Sequence, residues 1–281
     1  MTSLAHRVRL ALDEDLGPGD LTTEATIPAG GVCSAQIIAK QHVVVSGHAA
    51  GRAAFAAAAE RMGGVVVYKD LVPDGATAAP GTPIASLHGA PRAVLVGERL
   101  ALNLMMRMTG IATHVRGVVD AVGPATFRLV DTRKTTPLWR DLEKAAVVHG
   151  GAASHRFGLF DGVLIKDNHI AAVGSVAEAV GRAREASHHL VRVEVEVSDL
   201  DGLAAALQAG ADAVLLDNMS DDAMAAALAQ VQQHPKPVLV EASGNMTVDR
   251  LKAIAGLGLD LVSMGGLIHQ ARWADLSLKL D

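Results

Sequence analysis

From about residue 126 onward the sequence repeats one unit: a short apolar run, a few polar residues, then a stretch with helical periodicity. The runs are 127–131, 162–165, 191–197, 213–216, 237–240 and 259–264, and Ala/Leu-rich stretches at 171–186, 199–209, 221–232 and 247–256 separate them. Most of these runs are near-continuously apolar, which is the pattern of strands buried on both faces. Such strands interleaved with helices predict a parallel sheet clothed by helices. Six units over about 140 residues fall short of an eight-unit barrel, so the fold expected is α/β, an incomplete six-stranded α/β barrel.

Upstream the texture differs. Leu4, Val8, Ala11 and Leu12 recur at helical spacing and predict a helix over 3–15, closed by the turn Gly17-Pro18-Gly19. Residues 32–46 and 65–87 read as short strands around an Ala-rich helix at 49–61, with turn signals at Pro73-Asp74-Gly75 and Pro80-Gly81. Residues 97–122 predict one long helix or two, with Gly110 as the candidate break. The expected organisation is an N-terminal α+β domain over 1–110, a catalytic barrel over 111–266, and a tail, 267–281, placed to pack on the first domain.

Half the 281 residues are hydrophobic but only 2% are aromatic, so Ala, Val, Leu, Ile and Met must fill the core. The net charge of -5 supplies no basic face for a nucleic acid, and an anionic ligand must be held by a local group of cations. The single cysteine, Cys33, has no neighbouring His or second Cys and reads as a buried core thiol. The acidic run Asp13, Asp15, Asp20 is no calcium loop, because Gly17 stands where a third ligand belongs and no Glu closes the loop. The first residues carry charges every few positions, and no stretch reaches the ~20 apolar residues of a membrane span. A cytoplasmic chain without membrane contact is expected.

In parallel α/β folds ligands bind at the carboxyl ends of the strands. Those ends carry Asp131, Thr132, Arg133, Lys134, Thr135 and Thr136; Lys166 to His169; Glu194 and Glu196; Asp217 and Asn218; Glu241, Ser243 and Gly244; and Gly265-Gly266. Arg133, Lys134, Arg156 and Lys166, with His155, suit a ligand bearing several negative groups, since arginine grips planar carboxylates bidentately. Glu196 and Asp217, from adjacent units, suit Mg2+ whose remaining ligands are substrate phosphates and water. Gly244 and Gly265-Gly266 offer backbone N–H groups to a phosphate. Singly, each has a plainer reading: Arg133-Lys134 as a solvated loop pair, Lys166 as the partner of Asp167 or Glu196, Glu194 and Glu196 as one face of a strand. Their convergence on one rim favours a polyacid meeting a Mg-bound phosphorylated sugar. A rival enzyme reading is a Schiff-base aldolase with Lys166 as its amine.

At these residues the chain resembles the quinolinate phosphoribosyltransferases (carboxylating nicotinate-nucleotide pyrophosphorylases). The strings that carry the resemblance are Asp15-Leu16-Gly17 with Gly19-Asp20-Leu21-Thr22-Thr23, Glu98-Arg99-Leu100-Ala101-Leu102-Asn103, Gly110-Ile111-Ala112-Thr113 and Asp131-Thr132-Arg133-Lys134-Thr135-Thr136-Pro137. They continue with Leu164-Ile165-Lys166-Asp167-Asn168-His169, Glu194-Val195-Glu196-Val197, Leu216-Asp217-Asn218-Met219 and Glu241-Ala242-Ser243-Gly244. The resemblance implies transfer of a phosphoribosyl group from phosphoribosyl pyrophosphate (PRPP) to quinolinate with loss of CO2, in a homodimer whose active site is shared across the interface; a higher homo-oligomer stays open. It implies Arg99 as the arginine lent to the partner, and Arg133, His155, Arg156 and Lys166 as the acid pocket, with Thr132 and Lys134 beside it. Glu196 and Asp217 are implied for ribose and Mg2+, and Ser243, Gly244 and Gly265 for the phosphate cradle, with His269 close by. Lys134, Lys166, Glu196 and Asp217 are the implied catalytic group.

The chain departs from the family pattern at four places. Leu138 and Asn245 stand where glycine is usual, and Ala152 and Ser154 replace the third glycine and the asparagine of Gly-Gly-Gly-x-Asn-His-Arg. Asn tolerates left-handed backbone, so the turn at 245 is expected to survive. These positions leave open a paralogue acting on another pyridine acid, or a non-catalytic pyridine-acid binding barrel. The PRPP-binding fold of purine salvage is disfavoured, because Leu216-Asp217-Asn218-Met219 holds one acid and no Thr/Gly phosphate loop follows.

Overall fold

The computed structural model describes residues 2–281. In chain order the elements are α1 (Leu4–Leu16), α2 (Leu21–Thr26), β1 (Cys33–Ala39), β2 (Val43–Val44), α3 (His48–Met62), β3 (Val66–Asp70), β4 (Thr77–Ala78), β5 (Pro83–Gly89) and α4 (Pro91–Val122). Then come β6 (Arg128–Val130), α5 (Arg140–Gly150), β7 (Val163–Ile165), α6 (Asp167–Val173), α7 (Val176–Ala186), β8 (Val193–Val197), α8 (Leu200–Gln208) and β9 (Ala213–Asp217). The chain closes with α9 (Asp221–Gln232), β10 (Leu239–Ser243), α10 (Val248–Ile254), β11 (Leu261–Ser263), α11 (Gly266–His269) and β12 (Leu276–Leu280).

Two compact units share these elements. The first takes the chain up to Gly117 together with Thr136–Gly151 and Gln270–Asp281. Where the sequence suggested one cut between 110 and 111, packing follows a different division, because α4 runs unbroken through that point and α5 packs with the first unit. Its main sheet has the order β12-β1-β5-β3, with β1 antiparallel to both neighbours and the tail strand β12 at one edge. Phe55, Ile84, Leu102, Met105, Met108 and Ile111 are fully buried in this unit, so small aliphatic and sulfur side chains do the filling that aromatics usually do.

Local chemistry explains the element ends. Ser3 caps α1, and Asp20 caps α2 by accepting from Thr23 N at 3.0 Å and from the Thr23 hydroxyl. Those bonds hold the Asp20 carboxyl below its usual range. Gly110 is not a break. A side chain there would strike the carbonyl of Arg272, so glycine lets the tail backbone lie against α4, where Ala274 N donates to Met106 O at 3.0 Å. Cys33, expected in the core, is instead partly exposed at the first residue of β1.

The loop into α5 has one strained residue. Leu138 adopts φ 68, a left-handed conformation that costs an L-residue about 1–2 kcal/mol, while its side chain is 66% exposed. Arg7 donates to the Leu138 carbonyl, to Asp141 Oδ1 at 2.7 Å, and stacks over Trp139 with 5.3 Å to the ring centroid. Leu138→Gly removes the steric cost and loses little burial, offset in part by the larger entropy of unfolded glycine. A net gain of about 0.5–1 kcal/mol is expected in urea denaturation; a loss would show that the conformation is unstrained.

The second unit, Val118–Thr135 with Ala152–His269, contains the repeat. Its six strands lie in the order β6-β11-β10-β9-β8-β7, and each neighbouring pair is parallel. The end strands β6 and β7 do not pair with one another, so the barrel is incomplete, as expected. Residue 153 makes a single parallel bridge to Val130, which lays the segment before His155 alongside β6. Several boundaries differ from the sequence reading. Gly174, at φ 109, and the Ser175 cap split 171–186 into α6 and α7, and β10 starts later than foreseen and runs to Ser243.

Candidate active site

Register orders the strand ends into layers. Val193, Val195 and Val197 of β8 are buried, so Glu194 and Glu196 share its other face. In the sheet Ser243 lies opposite Asp217, Glu196 and Glu241 both lie opposite Leu215, and Glu194 lies opposite Ala213. On β8 and β10 a polar group near the strand end is followed, two residues back, by a deeper one: Glu196 by Glu194, and Ser243 by Glu241.

The outer layer brings most of the anticipated residues together. Lys166 Nζ forms an ion pair with Glu196 Oε2. Asp217 Oδ2 accepts from Asn218 Nδ2 at 3.0 Å, and Asn218 Oδ1 accepts from Asn245 Nδ2 at 3.0 Å. Asn218, Gly244 and Asn245 all have positive φ, at 53, 96 and 47. The left-handed turn at 245 therefore survives with asparagine, and Gly244 is required because the Asn218 side chain fills the space its Cβ needs. Gly265 is bare for a similar reason: Lys134 and His269 crowd its Cα, which puts these three residues side by side. The loop leading to Lys134 is fixed by Thr132 Oγ1, which accepts from Lys134 N at 3.1 Å. None of residues 152–154 adopts positive φ, whereas Gly151 does, at 104, so Ala152 and Ser154 fit without strain.

Two guanidinium groups act on one another through their charge here. Arg156 donates from Nη1 to Gly162 O at 2.9 Å. Its partial burial, and then the charge of Arg133, hold Arg156 below its ordinary value. Like charges set together disfavour the charged form of each, and an anion between them would offset that cost.

The inner layer holds a cluster that the sequence displayed but did not explain. His155 Nε2 lies 3.2 Å from Glu241 Oε2 and 3.6 Å from Glu194 Oε2, and its backbone N donates to Asp131 Oδ1 at 2.9 Å. Glu241 is 1% exposed. Burial pulls His155 down, but the ion-pairing carboxylates of Glu194 and Glu241 outweigh it and raise the imidazole to about 10. Burial, opposed by His155, pushes the Glu194 carboxyl up. The signal was spacing: Glu194 precedes Glu196, and Glu241 precedes Ser243, by one strand repeat. The partner on another segment was not readable.

The shift has a consequence for stability. An imidazole raised from an unfolded value near 6.5 to about 10 stabilises the fold fully below about pH 6.5, and that contribution is lost as pH rises towards 10. Relative to a His155→Gln variant, the chain should lose about 2–4 kcal/mol between those limits, read by urea titration at each pH. Parallel curves for the two proteins would contradict the pairing.

Arg99 belongs to the other unit. It is exposed on α4 and lines a cleft of about 420 Å3 with Asp15, Asp20, Leu21, Thr22 and Val96. Among the described residues no helix is long and apolar enough to cross a membrane.

An antiparallel first unit, and a parallel second unit whose strand ends gather cations, carboxylates and glycine turns, define the α/β-barrel enzymes that do their chemistry at the carboxyl ends of the strands. Comparison with known proteins narrows the class. Residues 20–109 match the quinolinate phosphoribosyl transferase N-terminal domain, and residues 111–279 match the C-terminal domain of the same family. A probable carboxylating nicotinate-nucleotide pyrophosphorylase of Bacillus subtilis is 40% identical over 265 residues, covering 94% of this chain and 89% of the relative. The human nicotinate-nucleotide pyrophosphorylase [carboxylating] is 41% identical over 212 residues, covering 75% of this chain and 71% of its own. The solved nicotinate-nucleotide pyrophosphorylase of Francisella tularensis superposes with a TM-score of 0.90 at 32% identity, covering 99% of this chain and 96% of that one. The chain belongs to the quinolinate phosphoribosyl transferase family.

Proposed function

We propose that the chain is a carboxylating nicotinate-nucleotide pyrophosphorylase that joins quinolinate to the ribose of PRPP, releasing pyrophosphate and CO2 and leaving nicotinate mononucleotide for NAD biosynthesis. The carrying observation is the rim itself: Arg133 near enough for its charge to act on Arg156, Lys134 over Gly265, and Lys166 paired with Glu196. The guanidinium pair holds the two carboxylates of the pyridine acid, with Lys166 and His155 adjoining. Lys134 and His269, with Ser243, Gly244 and Gly265, hold phosphate groups.

The chemistry needs little beyond positioning and charge. As pyrophosphate leaves, positive charge builds at the ribose C1, and Glu196 and Asp217 face it with fixed negative charge. The ring nitrogen attacks C1; the quaternised ring then accepts the electron pair released when the 2-carboxylate departs as CO2, and a proton fills C2. No covalent enzyme intermediate is required, and orientation contributes much of the rate.

Magnesium fits the donor set. Glu196 and Asp217 each use one carboxylate oxygen within the protein, on Lys166 and Asn218, and keep the other. Two carboxylate oxygens on adjacent strands match an ion that takes one or two carboxylates and completes its shell with phosphates and water. When bound, the ion neutralises the pyrophosphate leaving group. The chain works in the cytoplasm as a homodimer, and Arg99 on the exposed face of α4 reaches the partner's site. The Schiff-base reading is not favoured, because Lys166 is engaged with Glu196 rather than presented as an unbonded amine.

A pyrophosphate-release assay with PRPP and Mg2+ tests the proposal. Release with equimolar CO2 is expected for quinolinate and not for nicotinate. Tight quinolinate binding without release would instead mark a binding barrel.

A further inference from the structure

The cluster of His155, Glu194 and Glu241 supports a role beyond that assigned to the acid pocket above. His155 has a burial problem and a solution. A histidine 15% exposed in its side chain, with Nε2 set between carboxylates from β8 and β10, is bridged to two strands that flank β9. Its backbone is fixed independently, by Asp131 at the end of β6. Two carboxylates this deep require a cation, since an uncompensated buried charge is strongly destabilising. Among the described residues, Nδ1 of the same ring takes no protein partner, while Nε2 is committed to the glutamates.

We propose that Glu241, assisted by Glu194, is a positioning residue that keeps His155 a permanent imidazolium and thereby leaves Nδ1–H as a fixed charged donor for the pyridine acid. The inference rests on the functional reading above, which assigns His155 to the acid pocket. The physical logic is that of a metal-bound or catalytic histidine, where a carboxylate on one ring nitrogen sets what the other presents. A neutral histidine presents Nδ1 as donor or acceptor according to tautomer; an imidazolium can only donate, and a carboxylate can only accept. The charged groups around the ring are Glu194 from β8, Glu241 from β10, Asp131 from the end of β6, and Arg156 next in sequence, which also faces Glu194. The acids outnumber the one nearby arginine, so the ring stays charged in the absence of substrate. Quinolinate would then meet a preformed cation and not have to recruit a proton.

The test uses Glu241→Gln, which keeps the shape and removes the charge. The KM for quinolinate should rise roughly tenfold at about pH 8, with the KM for PRPP and kcat changed less than about threefold, because one lost pK unit is a factor of ten in the charged fraction. The rise should shrink towards pH 6, where an ordinary histidine is protonated without help, and Glu241→Asp should recover part of the loss. An unchanged KM for quinolinate, or an equal loss at both pH values, would overturn the proposal. Nitrogen NMR of the ring in the unmodified protein gives a readout without activity or mutation. Both nitrogens of His155 should be protonated at about pH 8, well above the ordinary value of ~6.5. A neutral ring there would refute the inference even if Glu241→Gln fails to fold. Should the unmodified chain show no quinolinate-dependent pyrophosphate release, the functional reading fails, while the NMR result still decides the state of His155.

Discussion

Arg156→Ala is expected to lower kcat/KM for quinolinate-dependent pyrophosphate release by roughly 30- to 1000-fold, the equivalent of ~2–4 kcal/mol for truncating one partner of a buried, hydrogen-bonded charge pair. The side chain is held in place before substrate arrives, by its bond to Gly162 O at 2.9 Å. The charge of Arg133 disfavours that of Arg156, and under the proposed function two bound carboxylates would compensate it. Most of the loss should therefore appear in the KM for quinolinate, with the KM for PRPP nearly constant. Arg156→Lys separates charge from shape: lysine restores the charge but not the planar fork, so recovery should be partial. Equal kcat/KM in the wild-type and Arg156→Ala proteins would remove this arginine from the acid pocket.

How much of this could be read from the chain depends on whether the cause was local. The six strands were visible because each is a short, largely apolar run set between helical stretches, and most of the rim residues follow from where those runs stop. The helix α5 was not foreseen, although Leu142, Ala146 and Val147 are buried at helical spacing, because no apolar run announces it and it lies between two strands of the repeat. Gly110 misled for a related reason. A glycine in a helical stretch signals a break when only the chain's own backbone is considered, but here it answers the approach of Arg272 from the distant tail. Cys33 was placed in the core on residue type alone, and its position as the first residue of β1 decided otherwise.

The site divides along the same line. Arg133, Lys134, Lys166, Glu196 and Asp217 could be named from strand-end positions, and Asn245 could be trusted to keep its turn because asparagine accepts φ near 47. The pairing of His155 with Glu194 and Glu241 joins three segments far apart in sequence, and no local pattern encodes it. Leu138 is the instructive middle case. Its strain is invisible in the residue itself, yet the family's usual glycine pointed to it, and φ 68 places Leu138 in the left-handed region that glycine enters freely.

The same reasoning identifies Glu143 as the residue in the first unit whose loss should cost most stability. It is fully buried, and one carboxylate serves three groups. Oε1 accepts from Arg107 Nε at 3.0 Å and from the Thr136 hydroxyl at 2.9 Å, while Oε2 accepts from Thr136 N at 2.8 Å. Arg107 in turn donates to Ala271 O at 3.1 Å, so a single carboxylate links α4, the start of α5, the loop before it and the C-terminal segment. Glu143→Ala removes the counter-charge of Arg107 and the acceptor of a buried backbone N–H, and opens a small cavity. A destabilisation of about 3–5 kcal/mol follows from breaking a buried pair on one side. At ~2–4 °C per kcal/mol for a unit of this size, the melting temperature should fall by roughly 6–20 °C. Glu143→Gln should fall between, since its amide oxygen still accepts from Thr136 but carries no charge for Arg107. A Glu143→Ala protein within about 1 kcal/mol of wild type would mean that water or neighbouring groups satisfy Arg107 and Thr136 as well as the carboxylate does, and that the link across these segments is geometric rather than energetic.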